Sequence, residues 1–142
     1  MTINIDGKDK IIQKQCRYTI ESLNHFKVVT VATLKEAFSS HPSEMVWYLY
    51  VYIYKEHPLY EKASKNTVVY DLTLGNKVYD KFHCGCTYYH KNSDYIQIGC
   101  DYHHLGDEYI YFNLSEDIPP IIEDDMKDLY EFFEGVCKDD QC

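Results

Sequence analysis

The sequence predicts an α+β fold: one domain over residues 1–142, with a mainly antiparallel sheet of about five strands, N-terminal helices and a C-terminal helix. Three observations predict it. The run MVWYLYVYIY at 45–54 alternates two faces at the two-residue period of a strand. Shorter β-rich runs follow it, separated by turn residues. After Pro119-Pro120, the residues Ile122, Met126, Leu129, Phe133 and Val136 return at the spacing of one helical face.

Taken in order, Ile11, Ile12, Cys16, Ile20 and Leu23 fall near helical spacing and predict a helix over 8–25. A second, short helix is expected at 33–38, where Thr33 and Glu36 have capping-box spacing and His41-Pro42 makes a stop. In the strand at 45–54, Trp47, Leu49, Val51 and Ile53 form the face expected to meet the core. Val46, Tyr48, Tyr50, Tyr52 and Tyr54 form the other, suited to packing under a helix or lining a groove. His57-Pro58-Leu59-Tyr60 then ends the strand in a turn, because proline biases His57 away from helical geometry. Further strands are expected at 67–72, 86–90, 95–99 and 108–113, with a hairpin loop at 91–94 and a turn at Gly75-Asn76. Proline and acidic residues suit the start of the last helix, and Gly135 lies near its expected C-cap.

Composition narrows the function. A length of 142 residues allows a real core, and 45% hydrophobic residues exclude whole-chain disorder. No apolar run approaches the ~20 residues of a membrane span, and the N-terminus lacks the layout of a signal peptide. The expectation is a cytoplasmic chain with no membrane partner, whose six Cys are reduced thiols. A net charge of -9 and a single Arg, Arg17, argue against nonspecific nucleic-acid binding and against bidentate phosphate clamping. The acidity suits cation binding, solubility, or mimicry of nucleic acid towards a basic partner. Much of it lies after residue 115, as expected of a solvated helix face. Fifteen Tyr suit half-wet surfaces and ring stacking, although β-propensity alone explains many of them.

The chemistry concentrates in two knots, His83-Cys84-Gly85-Cys86-Thr87 and Gly99-Cys100-Asp101-Tyr102-His103-His104-Leu105-Gly106-Asp107. If the strands between them pair as a hairpin, the knots converge. A zinc site could then draw on Cys84, Cys86 and Cys100 with the histidines, but the C-x-C beside a lone Cys is a poor match to paired-cysteine spacing. A second arrangement uses His83, Asp101, His104 and Asp107, with the last three recurring every third residue. Those groups can hold a divalent cation that activates water, or serve without metal as a histidine base oriented by carboxylates. Turn chemistry around Gly99 and Gly106 accounts for the same aspartates equally well.

The order HPLY, then H-x-G-x-T-Y, then I-G-x-D-x-x-H-x-G-D resembles a family of small bacteriophage-encoded proteins. The matching residues are His57, Pro58, Tyr60, His83, Gly85, Thr87, Tyr88, Gly99, Asp101, His104, Gly106 and Asp107, within residues 47–113. The resemblance supplies motifs rather than a mechanism. It implies that His83, Asp101, His104 and Asp107 form the pocket, as catalytic groups or metal ligands, with Tyr60, Thr87 and Tyr88 binding the ligand. Its pattern usually has Gly or apolar residues where this chain has Cys84, Cys86 and Cys100, which demotes a thiol site. The chain also departs from it in a longer segment, 65–80, before His83.

A phage setting implies an accessory, counter-defence protein in the cytoplasm of an infected bacterium. Two functions are expected from it. One is a His/Asp pocket that binds or hydrolyses a nucleotide-type ligand, such as a defence signalling nucleotide, by metal-assisted or general-base hydrolysis. The other is an acidic, Tyr-rich inhibitor that binds a host defence or nucleic-acid-processing protein without catalysis.

Overall fold

A computed structural model describes residues 3–5, 8–10, 15–35, 42–61 and 77–139. The elements, in order, are β1 (Ile3–Ile5), β2 (Lys8–Lys10), β3 (Gln15–Glu21), β4 (Phe26–Lys35), β5 (Glu44–Tyr54), α1 (Lys77–Asp80), β6 (Tyr88–Lys91), β7 (Tyr95–Asp101), α2 (Glu108–Tyr111) and α3 (Pro120–Asp139). β1 and β2 pair as a small hairpin. The other five strands make an antiparallel sheet of order β3-β4-β5-β7-β6. The chain is thus a single α+β domain, as the sequence predicts, but built from a different set of strands.

Among the described residues the expected N-terminal helices are absent. Residues 8–10 and 15–21 of the expected first helix are strands, and residues 33–35 of the second are the end of β4. Residues 11–14 and 36–38 lie outside the described residues. In β3 a two-residue alternation of Cys16, Tyr18 and Ile20 with Arg17, Thr19 and Glu21 overrides the looser helical spacing. In β4 the β-branched run Val28-Val29-Thr30-Val31 favours extended backbone. Between them Ser22 Oγ accepts from the Asn24 amide at 2.9 Å, and His25 takes a φ of 68° to close the hairpin.

The 108–113 segment is also not a strand. Its first four residues form α2, with the Ile110 amide donating to the Asp107 carbonyl at 2.8 Å and Ile110 turned into the core. The 67–72 strand and the Gly75-Asn76 turn fall outside the described residues. The hairpin at 91–94 is present: Asn92 Oδ1 accepts from the amides of Asp94 and Tyr95, joining β6 to β7. Gly135 does not end α3, which runs on to Asp139.

The core lies between one face of the sheet and α3. Trp47, Leu49, Val51 and Ile53 are all fully buried, and α3 turns Ile122, Met126, Leu129 and Phe133 towards them. Phe26 meets Phe133 at 5.8 Å between ring centroids and Tyr130 at 5.4 Å. The His57-Pro58 turn belongs to this core. His57 is buried, its Nδ1 accepts from the Leu59 amide at 3.1 Å, and its ring packs edge-on against Phe26. The opposite face of the sheet carries Tyr48, Tyr50, Tyr52 and Tyr54 half-buried. Among the described residues, no helix is long and apolar enough to cross a membrane.

Candidate metal centre

Pairing of β6 with β7 brings the two knots together. After α1, Phe82 is buried as an anchor, and the chain reverses through Cys84 and Gly85 at positive φ (56° and 90°), with the Gly85 amide bonded to the Phe82 carbonyl at 2.9 Å. The reversal leaves Cys84 exposed beside His83. The Thr87 amide then donates to the Gly99 carbonyl at 2.9 Å and starts the pairing.

At the far end of β7 the Tyr102 amide donates to the Trp47 carbonyl at 2.9 Å, which ties the second knot to β5. Asp101 Oδ1 accepts from the His103 amide at 3.1 Å, and Asp107 Oδ2 accepts from the His104 amide at 2.9 Å. Gly106, at a φ of 101°, supplies the turn that an L side chain would strain. The aspartates therefore do shape turns, as local chemistry requires, while their carboxylates also serve the histidines.

Asp107 is buried and holds two imidazoles. Both its oxygens lie 3.0 Å from His83 Nε2, and Oδ2 lies 3.3 Å from His104 Nδ1. Burial alone would push this carboxyl up. The His104 amide and the hydrogen bond and charge of His83 outweigh burial, so it titrates below the usual carboxylate range. An ionised carboxylate only accepts, so in neutral imidazoles the facing nitrogens would carry the protons, and His83 Nδ1 and His104 Nε2 would be left to hold an ion. The His83 ring also stacks on the buried Tyr102 at 4.5 Å and 16°, and the Tyr102 hydroxyl donates to Asp125 of α3. Burial pushes the Asp125 carboxyl above its ordinary value despite that bond.

His83, Cys84 and His104 offer ligand atoms that lie within 4.8 Å of one another, a group that could hold a metal ion. Two imidazoles and a thiolate are donors for zinc or another soft-to-borderline transition metal, not for magnesium or calcium. No family model, curated protein or solved structure matches the chain. The chemistry of the site therefore has to be read from its own donors.

The structure places the expected residues unevenly. Asp107 supports the imidazoles, whereas Asp101 Oδ1 stands 3.6 Å from His104 Nδ1, beyond a hydrogen bond. Cys86 and Cys100 are buried, and burial pushes the Cys86 thiol up to about 12 and the Cys100 thiol further still. The Cys86 thiol donates to the Gly99 carbonyl at 3.4 Å. Thr87 is exposed just before β6, and Tyr88 is exposed as its first residue. Tyr60 lies at the other end of β7, its hydroxyl donating to the Asn92 carbonyl and its ring beneath Lys91 Nζ at 4.2 Å. His103 pairs instead with Glu44 at 2.9 Å. The sequence reading undervalued Cys84 and missed Tyr102 as the floor under His83. No spacing signal marked Cys84, whose place depends on the positive φ of residues 84 and 85.

Proposed function

We propose that this chain is a metal-centred protein that binds and hydrolyses a small ligand, with His83, Cys84 and His104 holding zinc. One observation carries the reading: three different donors converge while one buried carboxylate fixes both imidazoles. Three protein ligands would leave a fourth position for water, and the ion would lower the pKa of that water towards neutrality. Asp107 then acts as a positioning residue behind the histidines. Asp101, which accepts from the His103 amide and stands 3.6 Å from His104 Nδ1, would serve as an outer carboxylate beside the His104–Asp107 pair.

The resemblance to phage-encoded proteins supports a setting inside an infected bacterium, with removal or capture of a defence signalling molecule as the role. The deciding experiment is elemental analysis of untagged protein before and after chelation, for wild type, His104→Ala and Cys84→Ser. Near-stoichiometric zinc in wild type, lost in both variants, is the expected result. Absence of metal from folded wild type would end the proposal.

A second reading has its own support. Glu123, Asp124, Asp128 and Glu131 are exposed along α3, a surface that suits a basic host protein. Reversal of Asp124 and Asp128 to Lys would abolish an inhibitory activity of that kind while leaving zinc content unchanged.

A further inference from the structure

We infer that the ligand of the zinc centre carries a planar ring of nucleobase type, seated on a tyrosine terrace on the open face of the sheet; this rests on the metal reading above. The terrace follows from register. Tyr50 of β5, Gly99 of β7 and Tyr88 of β6 form one cross-strand row, and Tyr48 stands opposite Asp101 in the next. The Tyr48 and Tyr50 rings are nearly parallel, at 5° and 6.2 Å, and Tyr88 meets Tyr50 edge-on at 5.7 Å. Tyr52 and Tyr95 extend the surface at 5.2 Å.

Gly99 permits the close approach of the Tyr50 ring. A Cβ there would stand 2.4 Å from the Tyr50 ring and 2.6 Å from the Leu49 carbonyl, so the missing side chain is what lets the ring lie over β7. The terrace also runs into the metal group. Asp101 closes its row beside Tyr48 and reaches to 3.6 Å from His104. Tyr88, 43% exposed, forms its accessible end.

Charge favours a small aromatic ligand over a polymer. By register, the terrace face carries Arg17, Lys27 and Lys35 against Glu21, Glu44 and Asp101, so it is balanced within a chain of net charge -9. The acidic α3 packs on the other face of the sheet. A balanced aromatic surface does not repel a nucleotide, yet lacks the basic stripe that would hold a nucleic-acid chain. Stacking is tolerant of ring identity, and the metal end would take the phosphate.

The test titrates zinc-loaded protein with each of the four common nucleoside 5′-monophosphates and with ribose 5-phosphate, which has the phosphate without the ring. At least one nucleotide should bind about tenfold tighter than ribose 5-phosphate. Tyr88→Ala should remove that margin, and Tyr88→Phe should keep it, with zinc content unchanged in both. Equal affinities for nucleotide and sugar phosphate, no binding of either, or a margin that survives Tyr88→Ala would overturn the ring subsite while leaving the metal reading intact. Wild type without zinc would instead remove the metal reading, and this inference with it.

Discussion

Two imidazoles lean on the single carboxylate of Asp107, so the residue should matter to stability as well as to metal binding. In Asp107→Asn one of the two ring N–H groups loses its acceptor, and the ionised partner of His83 is gone. The expected cost is about 1–3 kcal/mol at neutral pH. Because the folded carboxyl titrates below its unfolded value near 3.9, its contribution is full above that range and is lost as pH falls through the folded value. Thermal unfolding of wild type and variant should therefore differ at pH 7, and the difference should shrink as pH falls through the lowered range of the folded carboxyl. The thiols give a second expectation at this scale. Cys84 is exposed whereas Cys86 and Cys100 are buried with raised thiols, so native metal-free protein should take up iodoacetamide at Cys84 and at neither of the others. Peptide mapping that found Cys86 or Cys100 modified as fast as Cys84 would contradict the described burial. The convergence of His83 with His104 was legible in the sequence through the hairpin between them. The membership of Cys84 was not, since it depends on a left-handed backbone turn that spacing does not reveal.

At the level of strands and helices, β7 is the element that joins fold to site. Gly99→Ala would drive a methyl group into the Leu49 carbonyl as well as the Tyr50 ring, and a backbone atom cannot swing aside. We expect a loss of about 1–3 kcal/mol, read by denaturant midpoint, with most of it recovered in Gly99→Ala/Tyr50→Ala only if the ring is the larger obstacle. β5, β7, the β6–β7 hairpin and the core stripe of α3 were all legible, because each has a clean two-residue or helical period. β3 and β4 were not. The helical spacing of Ile11, Ile12, Cys16, Ile20 and Leu23 misled, since Cys16 and Ile20 lie in β3 and Leu23 in the turn after it, and the β-branched content of 28–33 was the better guide. α2 misled in the opposite direction: its aromatic composition favours a strand, but the Asp107 turn starts a helix with only Ile110 buried.

On the scale of the whole molecule, the donors of the metal group come from two stretches that only the assembled sheet holds together. An ion bound there would favour the native state alone. At a free zinc concentration 100 times the dissociation constant the gain is about 2.7 kcal/mol. Zinc should thus raise the melting temperature of wild type by several degrees, an effect reversed by chelator and absent from His104→Ala; an equal rise in that variant would place the ion elsewhere.

The strand order has a consequence for the chain as it is made. β5 ends at Tyr54, while β7, its neighbour on the far side, begins only at Tyr95. At ~5–20 residues per second, the emerging polypeptide waits roughly 2–8 seconds before that neighbour leaves the ribosome. During the wait MVWYLYVYIY, uncharged and rich in β-formers, offers an unpaired row of amides and carbonyls to any other nascent chain. Synthesis at high density is where this protein is most exposed to aggregation, and holdase chaperones should engage it in that interval rather than after release.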